Sequence, residues 1–148
     1  MSIVCAEIEI AAEPHRVWQL VCNPDRLGDW VTIHRGLRQA SDRPLKEGST
    51  LEQALTLRGA HFNVKWRVTE LSEPHRLAWE GRGPARSKAL TSYELRARNG
   101  GTSFSYRNEF KAPLGPLGAA ASRALVGGFP QREADKSLKR LKALLEAG

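Results

Sequence analysis

The middle of the chain consists of five consecutive segments in which apolar residues fall on every second position. Such alternation is typical of β-strands with one buried face. The apolar positions are Leu51, Leu55 and Leu57; Phe62, Val64, Trp66 and Val68; Leu77 and Trp79; Ala89, Tyr93 and Leu95; and Phe104, Tyr106 and Phe110. The segments are separated by short turns, and Asn99-Gly100 is a strong hairpin signal because both residues tolerate positive φ. Strands joined by short turns pair antiparallel, so the sequence predicts an antiparallel meander.

A further strand and two short helices precede this meander. In residues 3–11, apolar side chains alternate with Cys5 and two glutamates, which predicts a half-buried strand. Pro14 suits the first turn of a helix, and an apolar stripe at helical spacing follows it. Asn23-Pro24 ends that helix and caps a second one that runs to Trp30. Residues 31–41 are weakly patterned, so the predicted sheet has six strands, or seven if this segment also pairs.

The longest predicted helix is C-terminal, and residues that helices avoid stand before its regular part. These residues are Gly127, Gly128 and Pro130. Pro130 cannot donate a hydrogen bond to the carbonyl of Val126, so we expect the helix either to bend here or to start afresh. The apolar stripe on the two sides of the break comprises Leu117, Ala121, Leu125, Leu138, Leu141 and Leu145.

The apolar face of the sheet needs cover, and the C-terminal helix is the only long element left to provide it. The predicted fold class is therefore α+β: a curved antiparallel sheet of six to seven strands wrapped around a long C-terminal helix. We expect one domain over residues 1–148. A helix broken near Pro130 would contact the sheet with its C-terminal half and lift away near its start. This geometry predicts a hollow under residues 117–130, with a solidly packed core as the alternative.

The predicted hollow lies between small helix residues and large side chains of the sheet, many of which carry a polar tip. Native cores rarely leave space unfilled, so this pairing favours a ligand cavity. The candidate ligand-binding residues are Trp66, Trp79, Tyr93, Phe104, Tyr106, Asn108, Leu125 and Phe129. We place Trp30 and His34 near the cavity mouth and Trp18 in the core.

Charge, cysteine content and hydropathy narrow the class of protein. The formal net charge is +7, which raises the chance of an anionic partner. The basic residues are scattered, apart from one group on the last helix at residues 136–142. No apolar run approaches the length that spans a bilayer, and the N-terminus has the character of a strand rather than of a signal peptide. With two cysteines and no CxxC pattern, we expect a cytoplasmic protein with reduced thiols.

The sequence contains no clear catalytic or metal-binding pattern. The four histidines are His15, His34, His61 and His75, and they lie far apart along the chain. We therefore predict no metal site and no cofactor. Neither cysteine has a neighbouring histidine, and no GxSxG, Walker or GxGxxG pattern occurs. Catalytic residues cannot be assigned from these patterns.

Four stretches together resemble the polyketide cyclase/dehydrase and lipid-transport family of the START-like (SRPBCC) superfamily. In chain order they are EIEIAAEPHRVWQLVCNPDRLGDW, WRVTELSEPHRLAWEG, GGTSFSYRNEF and ADKSLKRLKALLE. The resemblance covers nearly the whole chain and implies the helix-grip fold, with a deep hydrophobic cavity between a curved sheet and the C-terminal helix. Members of the family bind lipids, sterols, polyketides, hormones or quinones, and a minority are enzymes. The superfamily has no single catalytic motif that could be carried over.

Three functional hypotheses follow. The leading one is the binding of a small hydrophobic or amphipathic ligand, lipid-like or polyketide-like. The second is a cyclase or dehydratase in which Tyr93 and Tyr106 act on a chain delivered by an acyl carrier protein, whose acidic surface would suit the +7 charge. The third is RNA or ribosome binding through the basic face of the last helix. That helix lacks exposed aromatic residues, so nucleic acid is the least favoured partner.

Overall fold

A single antiparallel sheet of seven strands organises the protein in the computed structural model, which describes residues 2–111, 115 and 128–147. The strand order across the sheet is β1-β7-β6-β5-β4-β3-β2, so all neighbours except β1 and β7 are consecutive in sequence. The strands are β1 (Ser2–Ile10), β2 (His34–Ala40), β3 (Thr50–Leu57), β4 (Ala60–Ser72), β5 (Arg76–Arg82), β6 (Lys88–Arg98) and β7 (Gly101–Lys111). The predicted meander is confirmed.

The weakly patterned segment at residues 31–41 supplies the seventh strand, β2, at one edge of the sheet. Its pairing with β3 shifts register between His34 and Gly36 and again between Leu37 and Gln39. Each shift reverses which side chains face the core. This is why the segment shows no regular alternation in the sequence.

Tight turns with left-handed residues connect the central strands. Arg58 and Gly59 have φ of 49° and 82°, and Asn99 and Gly100 have φ of 52° and 80°. Two consecutive positive φ values produce a turn whose twist matches that of the flanking strands. The hairpin predicted from Asn99-Gly100 is confirmed.

Two short helices follow β1, as the sequence predicted. Helix α1 (Pro14–Val21) begins at the expected proline and buries its apolar stripe, including Trp18. A 3₁₀ turn (Pro24–Arg26) leads into α2 (Leu27–Trp30). The side chain of Asn23 accepts a hydrogen bond from the backbone N–H of Asp25 over 3.0 Å, which is the expected cap.

The C-terminal helix, α3, spans Phe129–Glu146. Gly128 adopts a left-handed conformation (φ 70°) directly before it, and Pro130 lies in its first turn. The break in the sequence therefore starts a helix afresh, and Pro130 occupies a position where no N–H is needed. Leu138, Leu141 and Leu145 are buried, whereas the earlier stripe positions 117, 121 and 125 lie outside the described residues.

Helix α3 also covers the free edge of β1. The side-chain amide of Gln131 donates to the carbonyl of Cys5 over 2.7 Å, and the Lys142 ammonium donates to the carbonyl of Glu9 over 2.7 Å. The carboxylate of Glu146 accepts from the backbone N–H of Ala11 over 2.8 Å. These bonds occupy backbone groups that could otherwise pair with another strand. Within the described ranges, no helix combines the length and the apolar character needed to cross a bilayer.

Candidate functional site

A cavity of about 310 Å³ lies between the sheet, the loop after α2 and the first turns of α3. Its apolar walls come mainly from β3, β4 and the α2 region. The described lining residues are Ile3, Val4, Leu27, Trp30, Val31, Thr32, Ile33, Gln53, Leu55, Leu57, Phe62, Val64, Trp66, Trp79, Ala89, Thr91, Tyr93, Tyr106, Asn108, Phe110, Gly128, Pro130, Gln131, Glu133, Ala134, Ser137 and Leu138.

Four neighbouring strands contribute a continuous aromatic wall. Ring centroids are 5.5 Å apart for Trp66 and Trp79, 5.7 Å for Trp79 and Tyr93, and 6.0 Å for Tyr93 and Tyr106. Trp30 from α2 packs against Tyr93 at 5.7 Å, edge to face. Such spacings are typical of stabilising aromatic pairs. The wall is thus a rigid surface against which a flat, apolar molecule can pack.

The structure brings five of the eight candidate residues to the cavity surface: Trp66, Trp79, Tyr93, Tyr106 and Asn108. Phe104 is not among the lining residues. It is 0% exposed, and its ring packs on Tyr93 and Trp30 at centroid distances of 5.4 and 6.2 Å. Phe104 lies on the same face of β7 as Tyr106 and therefore packs beside the wall, outside the cavity lining. Leu125 lies outside the described residues, and of Phe129 only the backbone, at the start of α3, is described.

The sequence placed Trp30 and His34 near the cavity mouth, and the two residues differ in their contact with the cavity. Trp30 is 1% exposed and forms part of the cavity wall. His34 is half-buried at the start of β2 and does not line the cavity directly. Trp18 is buried in the core, as the sequence predicted.

Two indole N–H groups of the wall are buried without a hydrogen-bond partner. They are Nε1 of Trp30 and Nε1 of Trp79, in residues that are 1% and 5% exposed. A buried donor left unpaired costs about 1–3 kcal/mol, and such groups are rare in native proteins. The accessible surface of both atoms is nearly zero, so these two donors do not open onto the cavity and are a cost of packing the rings together.

The tyrosine hydroxyls add two further groups to the same wall. In the described part of the chain, neither Tyr93 nor Tyr106 forms a side-chain hydrogen bond. Burial raises the pKa of both phenols, and for Tyr93 the neighbouring Tyr106 adds to this effect. Both hydroxyls are therefore protonated at neutral pH and can donate hydrogen bonds.

Gln53 is a wall residue that the sequence analysis did not select. Its Oε1 accepts from Nε1 of Trp66 over 3.0 Å, and its Nε2 lies 2.9 Å from Nδ1 of His34. An indole can only donate, so the Gln53 carbonyl must face Trp66 and its NH₂ must face His34. The sequence did carry a signal, because Gln53 occupies an apolar position in the alternation of β3.

The side of the cavity near α3 is polar. The hydroxyl of Thr32 donates to the carboxylate of Glu133 over 2.7 Å, and the backbone N–H of Thr32 donates to the hydroxyl of Ser137 over 3.0 Å. These bonds join the loop after α2 to the first turns of α3. They connect residues about a hundred positions apart, and for that reason no local pattern in the sequence predicted these hydrogen bonds.

The two cysteine thiols are not among the described lining residues of the cavity, and the described residues form no metal-binding cluster. Cys22 is buried, and burial raises the pKa of its thiol to about 11. Cys5 is exposed on β1, and both thiols are free. Among the described residues, no group of three or more metal-ligating side chains comes together.

An open antiparallel sheet with a C-terminal helix and a cavity between them defines the helix-grip class of START-like proteins. A profile of the family described as "Polyketide cyclase / dehydrase and lipid transport" matches residues 1–146. The chain belongs to this family.

One relative in sequence and two solved structures are similar to this chain over nearly its whole length. The protein Rv1546 of Mycobacterium tuberculosis is 33% identical over 145 residues, which cover 94% of this chain and 98% of Rv1546. The structure of TTHA0849 from Thermus thermophilus superposes with a TM-score of 0.79 at 18% identity, covering 99% and 98% of the two chains. DynU16, a protein of the dynemicin biosynthetic locus, superposes with a TM-score of 0.67 at 16% identity, covering all of this chain and 48% of DynU16. At such identities the structural likeness shows the fold alone.

Proposed function

We propose that this protein binds a small, largely apolar molecule in the cavity between the sheet and α3. The observation that carries the proposal is the aromatic wall of Trp66, Trp79, Tyr93 and Tyr106, on which the two tyrosine hydroxyls remain without a hydrogen-bond partner among the described residues. Apolar walls with a few well-placed polar groups are typical of small-molecule sites. Among family members the description "lipid transport" fits such a role.

The size of the cavity suits one small ligand. Its volume of about 310 Å³ is at the lower end of the roughly 300–1,000 Å³ found for ligand pockets. Burying apolar surface against this wall would contribute about 25 cal/mol per Å² before the costs of association. A lipid-like or polyketide-like compound with a ring system of modest size fits these limits.

A cavity-filling substitution tests the proposal. Ala89 lines the cavity on β6 and is buried, whereas Ala97 on the same strand is exposed. Titration with the neutral fluorescent probe N-phenyl-1-naphthylamine should show saturable binding to the wild type. Ala89→Phe should weaken that binding at least about tenfold, and the matched control Ala97→Phe should leave it unchanged.

The result that would overturn the proposal is unsaturable probe binding, or equal binding by the wild type and a folded Ala89→Phe protein. Circular dichroism and thermal melting establish whether each variant is folded. If Ala89→Phe does not fold, Ala89→Leu fills less volume and provides the same comparison.

A cyclase or dehydratase activity is the second candidate. The observation that favours it is the pair of protonated hydroxyls of the buried Tyr93 and the half-buried Tyr106, which could donate to ligand carbonyls as charge develops on oxygen. An acyl carrier protein is the partner such a reaction would require, and the net charge of +7 would favour its acidic surface. Turnover of a poly-β-ketone thioester that falls about a hundredfold in Tyr93→Phe, with binding retained, would support catalysis; absence of turnover would leave binding as the function.

A further inference from the structure

Four cations that are scattered along the sequence meet in one row on the outer face of the sheet, which we call the basic row. The strand register places Lys65 of β4 opposite Arg82 of β5, Arg82 opposite Lys88 of β6, and Lys88 opposite Lys111 of β7. All four residues are exposed. Side chains directly opposite each other on neighbouring strands start only about 5 Å apart, and like charges in such pairs destabilise a sheet.

The other end of the same outer face shows the ordinary arrangement of charges. There Arg76 of β5 lies opposite Glu94 of β6 and forms an ion pair with it over 2.7 Å. Arg76 also pairs with Glu70 of β4 over 2.9 Å. The same strands therefore place opposite charges together at one end and like charges together at the other.

The carboxylates near the basic row offset only part of its charge. Glu80 lies 3.5 Å from Arg82 and 3.7 Å from Lys88, so one carboxylate serves two cations. In the described part of the chain, neither Lys65 nor Lys111 forms an ion pair. The sheet itself thus leaves the row with an excess of positive charge.

Further charges around the row do not remove this excess. Arg67 is the next outward residue on β4, and Arg86 is exposed in the turn between β5 and β6. Of the nearby acids, Glu52 is half-buried on β3 at the end of the row, and Glu109 is paired with Arg107 over 2.6 Å. Cations therefore outnumber carboxylates at this end of the sheet.

Protection of a sheet edge does not account for the basic row. Lysines discourage edge-to-edge pairing on edge strands, whereas β4, β5, β6 and β7 each have two neighbours in the sheet. A negatively charged partner that covers the row would turn the mutual repulsion of its cations into attraction. The arrangement of charge therefore points to an anionic partner.

The surroundings of the row favour a lipid bilayer over a nucleic acid. The described aromatic side chains of the sheet belong to the core or pack against it, so they cannot stack on bases. Leu90 lies on the outer face two residues after Lys88 and is 46% exposed. Exposed apolar residues beside basic ones are typical of surfaces that lie at a bilayer interface, and anionic lipids supply the opposite charge.

We propose that the basic row rests on the anionic surface of a lipid bilayer, with Leu90 in contact with the headgroup region. The association is peripheral, because it uses side chains on the outer face of the sheet. It does not require a molecule in the cavity, so it goes beyond the proposed function and is independent of it.

Sedimentation with lipid vesicles measures this association. Vesicles of equal parts phosphatidylglycerol and phosphatidylcholine should bind the wild type at about 0.1 M salt, where the Debye length is about 10 Å. Vesicles of phosphatidylcholine alone should bind it at least about tenfold more weakly, since they carry no net charge. Raising the salt to about 0.5 M should release most of the bound protein from the anionic vesicles.

Neutralising the row should separate its function from a structural role. Lys65→Gln, Lys88→Gln and Lys111→Gln combined should weaken binding to the anionic vesicles at least about tenfold, because each basic residue near such a surface contributes about fivefold. The same variant should melt at the temperature of the wild type or above it, because the like-charged pairs are relieved. A large loss of stability would show that the row serves the fold and would overturn the inference.

Matched controls test whether position matters, in addition to charge and hydrophobicity. Lys136→Gln, Lys139→Gln and Arg140→Gln combined remove the same charge from the exposed side of α3, on the other side of the sheet, and should retain vesicle binding. Leu90→Asn should weaken binding. Leu144→Asn, at a leucine of α3 that is 40% exposed, should not.

Three outcomes would overturn the inference: no binding of the wild type to anionic vesicles, equal binding to both kinds of vesicle, or equal binding by the two triple variants. Binding of a short RNA duplex without binding of vesicles would also overturn it, since a nucleic acid would then be the partner. None of these outcomes affects the proposed function, which titration with N-phenyl-1-naphthylamine tests separately.

Discussion

Nε1 of Trp66 donates a hydrogen bond to Oε1 of Gln53 over 3.0 Å, and both side chains are buried in the cavity wall. Because the indole can only donate, this bond fixes which end of the Gln53 amide faces inward. The NH₂ group then donates to Nδ1 of His34, which places the proton of the neutral imidazole on Nε2. Two successive hydrogen bonds thus join Trp66, Gln53 and His34.

We predict that Gln53→Leu lowers the free energy of unfolding by about 1–3 kcal/mol, because it leaves the buried Trp66 donor unpaired. Urea denaturation measures this change. Gln39→Leu, at an exposed position of β2, is the matched control and should change stability by less than about 0.5 kcal/mol. A double-mutant cycle with Trp66→Phe should show coupling between positions 53 and 66; additive effects would contradict the prediction.

The position of His34 predicts a loss of stability at mildly acidic pH. Burial lowers the pKa of His34 below its ordinary value of 6.5, so the unfolded chain binds the proton more readily than the folded protein does. Stability that is present above about pH 6.5 is therefore lost as pH falls from that value towards the lower pKa of the folded state. Protonation also turns Nδ1 into a donor that faces the NH₂ of Gln53.

His34→Asn should reduce this pH dependence, since the Asn carbonyl can accept from Gln53 without titrating. The measurement is the free energy of unfolding at pH 7.5 and pH 5.5, and the difference between the two values should be smaller in the variant than in the wild type. His75→Asn, in an exposed turn, serves as the control. An identical pH dependence in His34→Asn and the wild type would contradict the prediction.

Gly81 on β5 leaves room for the ring of Trp66. A Cβ atom added at Gly81 would lie 2.7 Å from Cε3 and Cζ3 of that ring and 2.7 Å from Cγ1 of Val64. We expect Gly81→Ala to shift the aromatic wall and to destabilise the protein by about 1–3 kcal/mol. It should also weaken binding of N-phenyl-1-naphthylamine.

Gly36→Ala provides the control, because a Cβ atom at Gly36 meets nothing within 4 Å. Thermal melting and probe titration of the two variants under the same conditions give the comparison. Equal stability and equal binding in both variants would show that the wall tolerates the added methyl group.

The two cysteines should differ sharply in reactivity. Cys5 is exposed, whereas Cys22 is buried, its Sγ lies 3.8 Å from the carbonyl of Leu45, and its pKa is raised to about 11. Since the thiolate is the reactive form, a disulfide reagent at pH 8 should titrate one thiol in the native protein and two after denaturation. Cys5→Ser should abolish the native reaction, and Cys22→Ser should leave it unchanged. Two rapid reactions in the native wild type would contradict this assignment.

Local patterns predicted the elements of the fold because each element obeys a rule of its own segment. The alternation of Phe62, Val64 and Trp66 requires a strand with one buried face, and Pro130 requires a helix boundary because it lacks an N–H. The edge strand β2 was less clear because its register shifts interrupt the alternation. Five of the candidate site residues line the cavity. They could be predicted because the alternation along a strand and the order of the strands together determine which face of the sheet a side chain occupies.

The remaining features of the site depend on contacts between segments that are distant in sequence. The selection of Phe104 as a ligand contact rested on its face of β7, but the rings of Tyr93 and Trp30 lie against it. The sheet face that a side chain occupies does not show which of two inward side chains is nearer the cavity, because that depends on how the helices pack. Gln53, Thr32 and Glu133 acquire their roles only through partners on other elements.

The sequence by itself determined the antiparallel meander, the helix boundary at Pro130 and the aromatic content of one sheet face. It could do so because hydrogen-bond periodicity and backbone sterics act within a few residues. Only the tertiary structure decided that Gln53 pairs with the indole of Trp66 and that Thr32 and Glu133 join the loop after α2 to α3. Burial and the pairing of polar groups arise when distant segments pack together, and no local pattern encodes them.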